Sequence, residues 1–289
     1  CRLDRWIKKN GFVVPQSFIE KNIRKGKIKV NNKREKSSYK LKENDKIDFY
    51  NIEFSIQKND IPKKYSPTKQ DLKFSSQIFI ENNENFCVIN KPPGISVQSG
   101  TKSKKNIIDI LDKTREFVGY KPFTVHRIDK ETTGILLIAK NRKYAQLFTS
   151  LFRIRKINKI YLGIALGQLD KSKGTFIDYL IHHEGKKQIK SKAITHFNVL
   201  DSNNKYSFIK LQPETGRKHQ IRKQLLIHGN PILGDSKYRL ISNNKDRKNN
   251  LMLHAYKIKF IIDGKKYNFS AEPSFEFKKI LKEKYLKIF

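Results

Sequence analysis

Asp129 lies within HRIDKETTG at positions 126–134, between the basic pair His126 and Arg127 and a small-residue turn that ends at Gly134. The apolar run ILLIA at 135–139 follows, rich in β-branched and leucine side chains, and predicts a short buried strand. A carboxylate on a loop fixed to a rigid strand is where a reactive group is usually found. To react it would have to be ionised, and a carboxylate entering a closed pocket resists ionisation unless a cation or several donors hold it charged. Taken alone, an Asp before a strand is also the usual turn or cap residue, so the local residues leave both readings open.

Five further stretches accompany this one in order: VINKPPGI at 88–95, KIYL at 159–162, TGRKHQIR at 215–222, PILGD at 231–235 and LMLHA at 251–255. HRIDKETTG resembles the HRLDxxTSG signature of the RluA-type pseudouridine synthases. The others resemble that family's NKPxG, KxYxA, TGRTHQIR, PIxGD and LxLHA segments. The resemblance implies an RNA isomerase that breaks the N1–C1′ bond of a uridine, reorients the uracil and rejoins it through C5. It implies Asp129 as nucleophile, attacking ribose C1′ or base C6, with Arg222 as a bidentate guanidinium partner and Tyr161 stacked on a flipped uracil. Arg127 would fill the vacated space or hold a phosphate, His126 would shape the loop, and Leu253 or Leu251 would form an apolar wall. Lys91 and Arg217 are the further RNA contacts it suggests, although Lys-Pro-Pro-Gly is also a plain turn. The chain departs from the pattern at Ile128 for Leu, Lys218 for Thr, and Lys223 and Gln224 for Val and His. Those changes bear on packing beside Arg222 and leave the Asp, Tyr and Arg in place.

No metal-ligand cluster, phosphate-binding glycine loop or dinucleotide motif is present, and an isomerisation without net redox or hydrolysis needs none, so the expectation is no metal and no cofactor. Lys and Arg number 62 against 27 Asp and Glu, a net charge of +35 that points to a polyanionic partner. A- and T-rich coding, visible in the abundance of Lys, Asn and Ile, supplies part of that excess. Cys1 and Cys87 form no disulfide framework, which suits a reducing cytoplasm. No apolar run approaches the ~18 residues of a membrane span. A first residue of Cys rather than Met implies further residues upstream.

The elements that must position these groups fall into two expected domains. Residues 1–52 show helical spacing at Leu3, Trp6 and Ile7, a capping box at Ser17 and Glu20, and Gly26 placed to stop the second helix. Alternating segments at 27–30 and 46–49 predict strands, with Asn31 and Asn32 able to supply a turn. This pattern resembles the small S-four-type RNA-binding domain, with Arg24, Lys25 and Lys27 as a phosphate-contacting stripe. Residues 53–76, Lys-rich and broken by Pro62 and Pro67, read as a linker. From 77 to 289, strand patterns near 78–90, 135–139, 159–166, 194–200, 206–211 and 253–262 alternate with helical ones near 105–118, 141–153 and 218–228. Asp263-Gly264 is a two-residue hairpin signal. The class is therefore α+β with a largely antiparallel sheet, and the resemblance implies the pseudouridine synthase fold with a mixed central sheet.

Within that family the N-terminal domain implies a 23S ribosomal RNA substrate or its large-subunit precursor, acted on by a cytoplasmic monomer. The loop SVQSGT at 96–101 is similar to that of the RluC branch more than the RluD branch. The competing readings are a non-catalytic RNA-binding assembly factor, a basic structural protein with decayed motifs, or a synthase acting on another RNA.

Overall fold

Leu3 and Ile7 are fully buried on one face of α1 (Leu3–Lys9), and Ile19 and Ile23 bury the matching face of α2 (Gln16–Arg24). The expected capping box does not form. Pro15 is the N-cap, its carbonyl taking the Phe18 and Ile19 N–H groups, so Ser17 already lies inside the helix. The other end is as expected: Gly26 takes φ +70°, its N–H bonds the Ile23 carbonyl at 2.9 Å and that of Lys27 the Asn22 carbonyl at 3.0 Å. Those two bonds make a Schellman exit. Strands β1 (Ile28–Val30) and β2 (Ile47–Phe49) pair antiparallel. Asn31 and Asn32 do turn the chain in left-handed conformations, but onto Lys33; the strand that pairs with β1 arrives only later.

The computed structural model describes residues 1–10, 14–52, 65–75, 77–99, 105–184, 187–240 and 250–287. These form two units, Cys1–Lys64 and Tyr65–Phe289. Residues 53–64 of the expected linker, and Gly100 and Thr101 of the SVQSGT loop, lie outside the described residues. Residues 65–75, read as linker, are folded into the second unit. Thr68 and Asp71 cap α3 (Lys69–Ser75) reciprocally, the Tyr65 hydroxyl donates to Asp71 at 2.6 Å, and the Tyr65 N–H donates to Asp109 at 3.0 Å.

The second unit then runs β3 (Phe79–Asn82), β4 (Phe86–Lys91), α4 (Ile107–Leu111), a 3-10 turn (Arg115–Phe117), β5 (Phe123–Thr124), β6 (Thr133–Ala139), α5 (Arg142–Arg153) and β7 (Asn158–Leu166). After these come β8 (Lys173–Glu184), β9 (Lys187–Asn203), β10 (Tyr206–Pro213), α6 (Gln220–Ile227), β11 (Leu253–Ile262), β12 (Lys265–Ser270) and α7 (Phe275–Glu283). The sheet order is β3-β4-β6-β11-β7-β10-β9-β8, with β12 on β11 and β5 on β6. Among the described residues every strand pairing of this sheet is antiparallel except β6 with β11, so the sheet is mixed and largely antiparallel, as expected. The Asp263-Gly264 turn joins β11 to β12 with both residues at positive φ. The β8–β9 hairpin extends well beyond the strand expected at 194–200, and α7 carries no expectation from the pattern.

Two apolar clusters support the sheet. One gathers β4, β6 and β11 with Ile107, Leu111 and Phe148; the other gathers β7 and β10 with Ile221, Leu225, Phe277 and Leu281. Tyr161 packs against both, at the middle of the sheet.

Candidate active site

The sheet changes direction where β6 meets β11 in parallel, at His254 beside Thr133 and Ala255 beside Gly134. Gly134 takes φ +101°, and a Cβ there would run into the Ala255 carbonyl, so no other residue lets the two strands approach. His254 bridges the crossing, with Nδ1 2.8 Å from the Thr133 hydroxyl and Nε2 2.8 Å from the Ala271 carbonyl. The loop carrying Asp129 enters β6 at this point, closed by the Thr132 N–H donating to the Asp129 carbonyl at 3.2 Å.

Two further contacts hold the loop. His126 Nε2 accepts the Leu137 N–H at 2.9 Å, which makes Nε2 the unprotonated nitrogen, and its ring stacks on Phe152 at 4.6 Å. Burial pushes the imidazole pKa down to about 3, so it is a neutral structural ring that shapes the loop. Lys91 corrects the sequence reading. It is fully buried, and its ammonium donates to the carbonyls of Pro92 (2.7 Å), Ile95 (3.0 Å) and Lys130 (3.0 Å). All three N–H groups are occupied inside the protein, so Lys91 is a bolt between β4 and the Asp129 loop and makes no phosphate contact. Burial lowers its pKa to about 7.

A cavity of about 540 Å³ opens over Asp129, lined also by Arg127, Tyr161, Arg217, Arg222 and Leu253. Arg222 Nη1 donates to Asp129 Oδ2 at 3.0 Å. The bidentate pairing expected with Asp129 is made elsewhere: Nε and Nη2 clamp both oxygens of Asp235, at 2.6 and 2.7 Å. Asp235 is completely buried, and the N–H groups of Lys237 and Tyr238 also bind its Oδ1. Burial works against the Arg222 charge, but the bonds and charge of Asp235, then of Asp129, outweigh it and hold the guanidinium pKa above its ordinary value. Its Cζ lies 5.1 Å from the Tyr238 ring centroid. His219, at the left-handed start of α6, brings Nε2 to 3.5 Å from Asp129 Oδ1 while Nδ1 pairs with the Tyr238 hydroxyl at 2.8 Å.

The stretch TGRKHQIR earns its shape from Gln220. Its Oε1 accepts from the Thr215 hydroxyl and the Arg217 N–H, and its Nε2 donates to the Ile194 carbonyl and Thr195. Gln224, a departure from the family pattern, is buried and satisfied by Thr195 and Asp178. Tyr161 projects from β7 into the same cavity, and burial, with Asp129 adding, pushes its phenol pKa up, so it is neutral at pH 7. Leu253 lines the cavity and Leu251 does not. Arg217 lies at the rim, its Nε on the Lys192 carbonyl at 3.2 Å. Arg24, Lys25 and Lys27 belong to the other unit, the first two exposed and Lys27 bonded to the Asn51 carbonyl. Sequence reasoning assigned no role to Asp235 or His219, although both stand in quoted stretches. Their sequence signal was only an acid and a second imidazole within those stretches. Among the described residues no group of His, Cys, Asp and Glu could hold a metal, and no helix is long and apolar enough to cross a membrane.

Comparison with known proteins gives the same picture. A sequence model described as RNA pseudouridylate synthase matches residues 85–226, and one described as S4 domain matches residues 1–47. The chain is 33% identical to the ribosomal large subunit pseudouridine synthase C of Buchnera aphidicola subsp. Baizongia pistaciae, over 97% of this chain and 93% of that protein. The protein of the same name from Haemophilus influenzae is 30% identical, over 98% and 91%. The solved structure of human RNA pseudouridylate synthase domain containing 4 aligns with a TM-score of 0.66 at 25% identity, covering 75% of this chain and 96% of that one.

Proposed function

The chain belongs to the RNA pseudouridylate synthase family, and we propose that it converts uridine to pseudouridine in 23S ribosomal RNA with Asp129 as the nucleophile. The observation that carries this reading is the Asp129–Arg222 pair on the wall of a basic cavity. The target base leaves its stack, at a cost of a few kcal/mol that favours loops and weak pairs, and enters the cavity. The Asp129 carboxylate attacks, at C1′ or C6, and the N1–C1′ bond breaks. The uracil turns, C5 bonds to C1′, the C5 proton departs to restore the ring, and the bond between Asp129 and the substrate breaks to return the free carboxylate. Arg222 is the counter-charge that orients the anion. Tyr161, a neutral phenol, is the stacking surface, and Leu253 the apolar wall. Arg127 takes the space left by the base or a phosphate beside it, and Arg217 meets the RNA at the rim. Residues 1–52, through Arg24, Lys25 and Lys27, add phosphate contacts. Such a substrate places the protein in the cytoplasm, and no step calls for a cofactor.

The test is a pseudouridine-specific chemical map of 23S rRNA treated with the wild type and with Asp129→Asn. New signals with the wild type alone support the reading and identify the uridines. Equal signals with the variant would remove Asp129 from the mechanism.

A further inference from the structure

The cations of the cavity are of two kinds. Arg222 is engaged by carboxylates and Arg217 by a carbonyl. The side chains of Arg127, Arg153, Arg155 and Lys159, which also line the cavity, make no hydrogen bond or ion pair among the described residues. Lys159 lies two residues before Tyr161 on β7, so both side chains leave the same face of the strand and enter the same cavity. Burial lowers the Lys159 pKa, and the Arg155 charge lowers it further. A desolvated lysine beside an arginine, without a carboxylate, is an arrangement that an incoming anion would relieve.

Arg155 adds an independent observation. It follows the end of α5 in a Schellman exit, its N–H on the Phe152 carbonyl at 3.2 Å and that of Lys156 on the Leu151 carbonyl at 2.9 Å. Its φ is +59°, the position where glycine is at home and a side chain is strained. Retaining a long cation in that conformation, pointed into the cavity, runs against local stability and suggests a use for the charge.

From the cavity lining, the strand register and the strained helix exit, we infer that Arg155 and Lys159 form an anion subsite for a phosphodiester next to the flipped uridine. The subsite uses residues other than the Asp129–Arg222 pair and rests on the RNA reading above. It holds the backbone while the base is out of its stack, so its effect is on substrate binding and positioning.

The experiment is the salt dependence of binding to a 23S rRNA transcript for the full chain, Lys159→Gln, Lys159→Arg and Arg155→Gly. One lost phosphate contact reduces the slope of log affinity against log salt by about 0.7–0.9 and weakens binding about five-fold at 0.15 M salt. Lys159→Gln and Arg155→Gly should each show this loss, and Lys159→Arg should keep the slope. Arg155→Gly suits its backbone conformation, so it should melt no lower than the wild type and remains decisive even if Lys159→Gln folds poorly. An unchanged slope in either charge-removing variant would overturn the subsite, leaving Lys159 a contact to uncharged uracil or to nothing. Pseudouridine mapping on the same transcript separates this failure from that of the enzymatic reading: lost slope without wild-type product would keep the subsite and reject the isomerase.

Discussion

Arg222 grips Asp235 with Nε and Nη2 at 2.6 and 2.7 Å and presents only Nη1 to Asp129, 3.0 Å away. The buried acid therefore fixes the plane of the guanidinium, and that plane orients the Asp129 carboxylate.

Lysine cannot reproduce this fork, because a single ammonium cannot clamp one carboxylate and orient another. Arg222→Lys should lower turnover at least about 100-fold, the scale for removing one preorganised donor, with RNA affinity nearly intact. Asp235→Asn strips the counter-charge from a buried guanidinium and should cost roughly 3–5 kcal/mol in urea unfolding. Wild-type stability in that variant would show that the clamp is dispensable.

Tyr161→Phe keeps the ring on the cavity wall and should keep most of the turnover, because a phenol held neutral by burial is a poor proton acceptor. Single-turnover rates decide this. A near-total loss would mean that the hydroxyl takes part in moving the C5 proton.

Lys91→Met keeps an unbranched side chain, one atom shorter, and removes donors to three carbonyls. It should destabilise the protein by about 1–3 kcal/mol and slow catalysis through the loosened Asp129 loop. The salt slope of RNA binding should stay at the wild-type value, which a phosphate-contacting lysine could not do.

His126 is held near pKa 3, below its ordinary 6.5, by burial. Between those values the unfolded chain binds the extra proton, so stability falls as pH drops from about 6.5, by up to about 1.4 kcal/mol per pH unit. Urea midpoints at pH 7, 5 and 4 should decline more steeply for the wild type than for His126→Asn. Parallel declines would place the acid sensitivity elsewhere.

Deleting residues 1–52 should weaken binding to 23S rRNA and flatten its salt dependence, since phosphate contacts carry both. An unchanged slope would assign the whole electrostatic footprint to residues 65–289.

Local pattern was enough for the elements whose residues repeat with the backbone's own period. The β-branched run of β6, the Asp263-Gly264 hairpin and the Gly26 helix exit are short-range events, and each was legible along the chain. The capping box at Ser17 was not, because Pro15 starts the helix earlier, and α3 escaped notice because it is short, polar and capped by Thr68 and Asp71. For the site, the sequence determined which residue types were available and in what order: an acid, a strand tyrosine and a helix arginine in stretches that resemble one family. Tertiary structure alone decided their partners. Asp129 and Arg222 are 93 positions apart, Arg222 and Asp235 only 13, and spacing does not say which acid takes the guanidinium's two parallel donors. Lys91 shows the same limit. A lysine in a Lys-Pro-Pro-Gly turn suggests a surface charge, and only the approach of the Lys130 carbonyl from 39 residues away turns it inward. Hydrogen-bond geometry is set by which chain segments the sheet brings together, and that is a property of the whole fold.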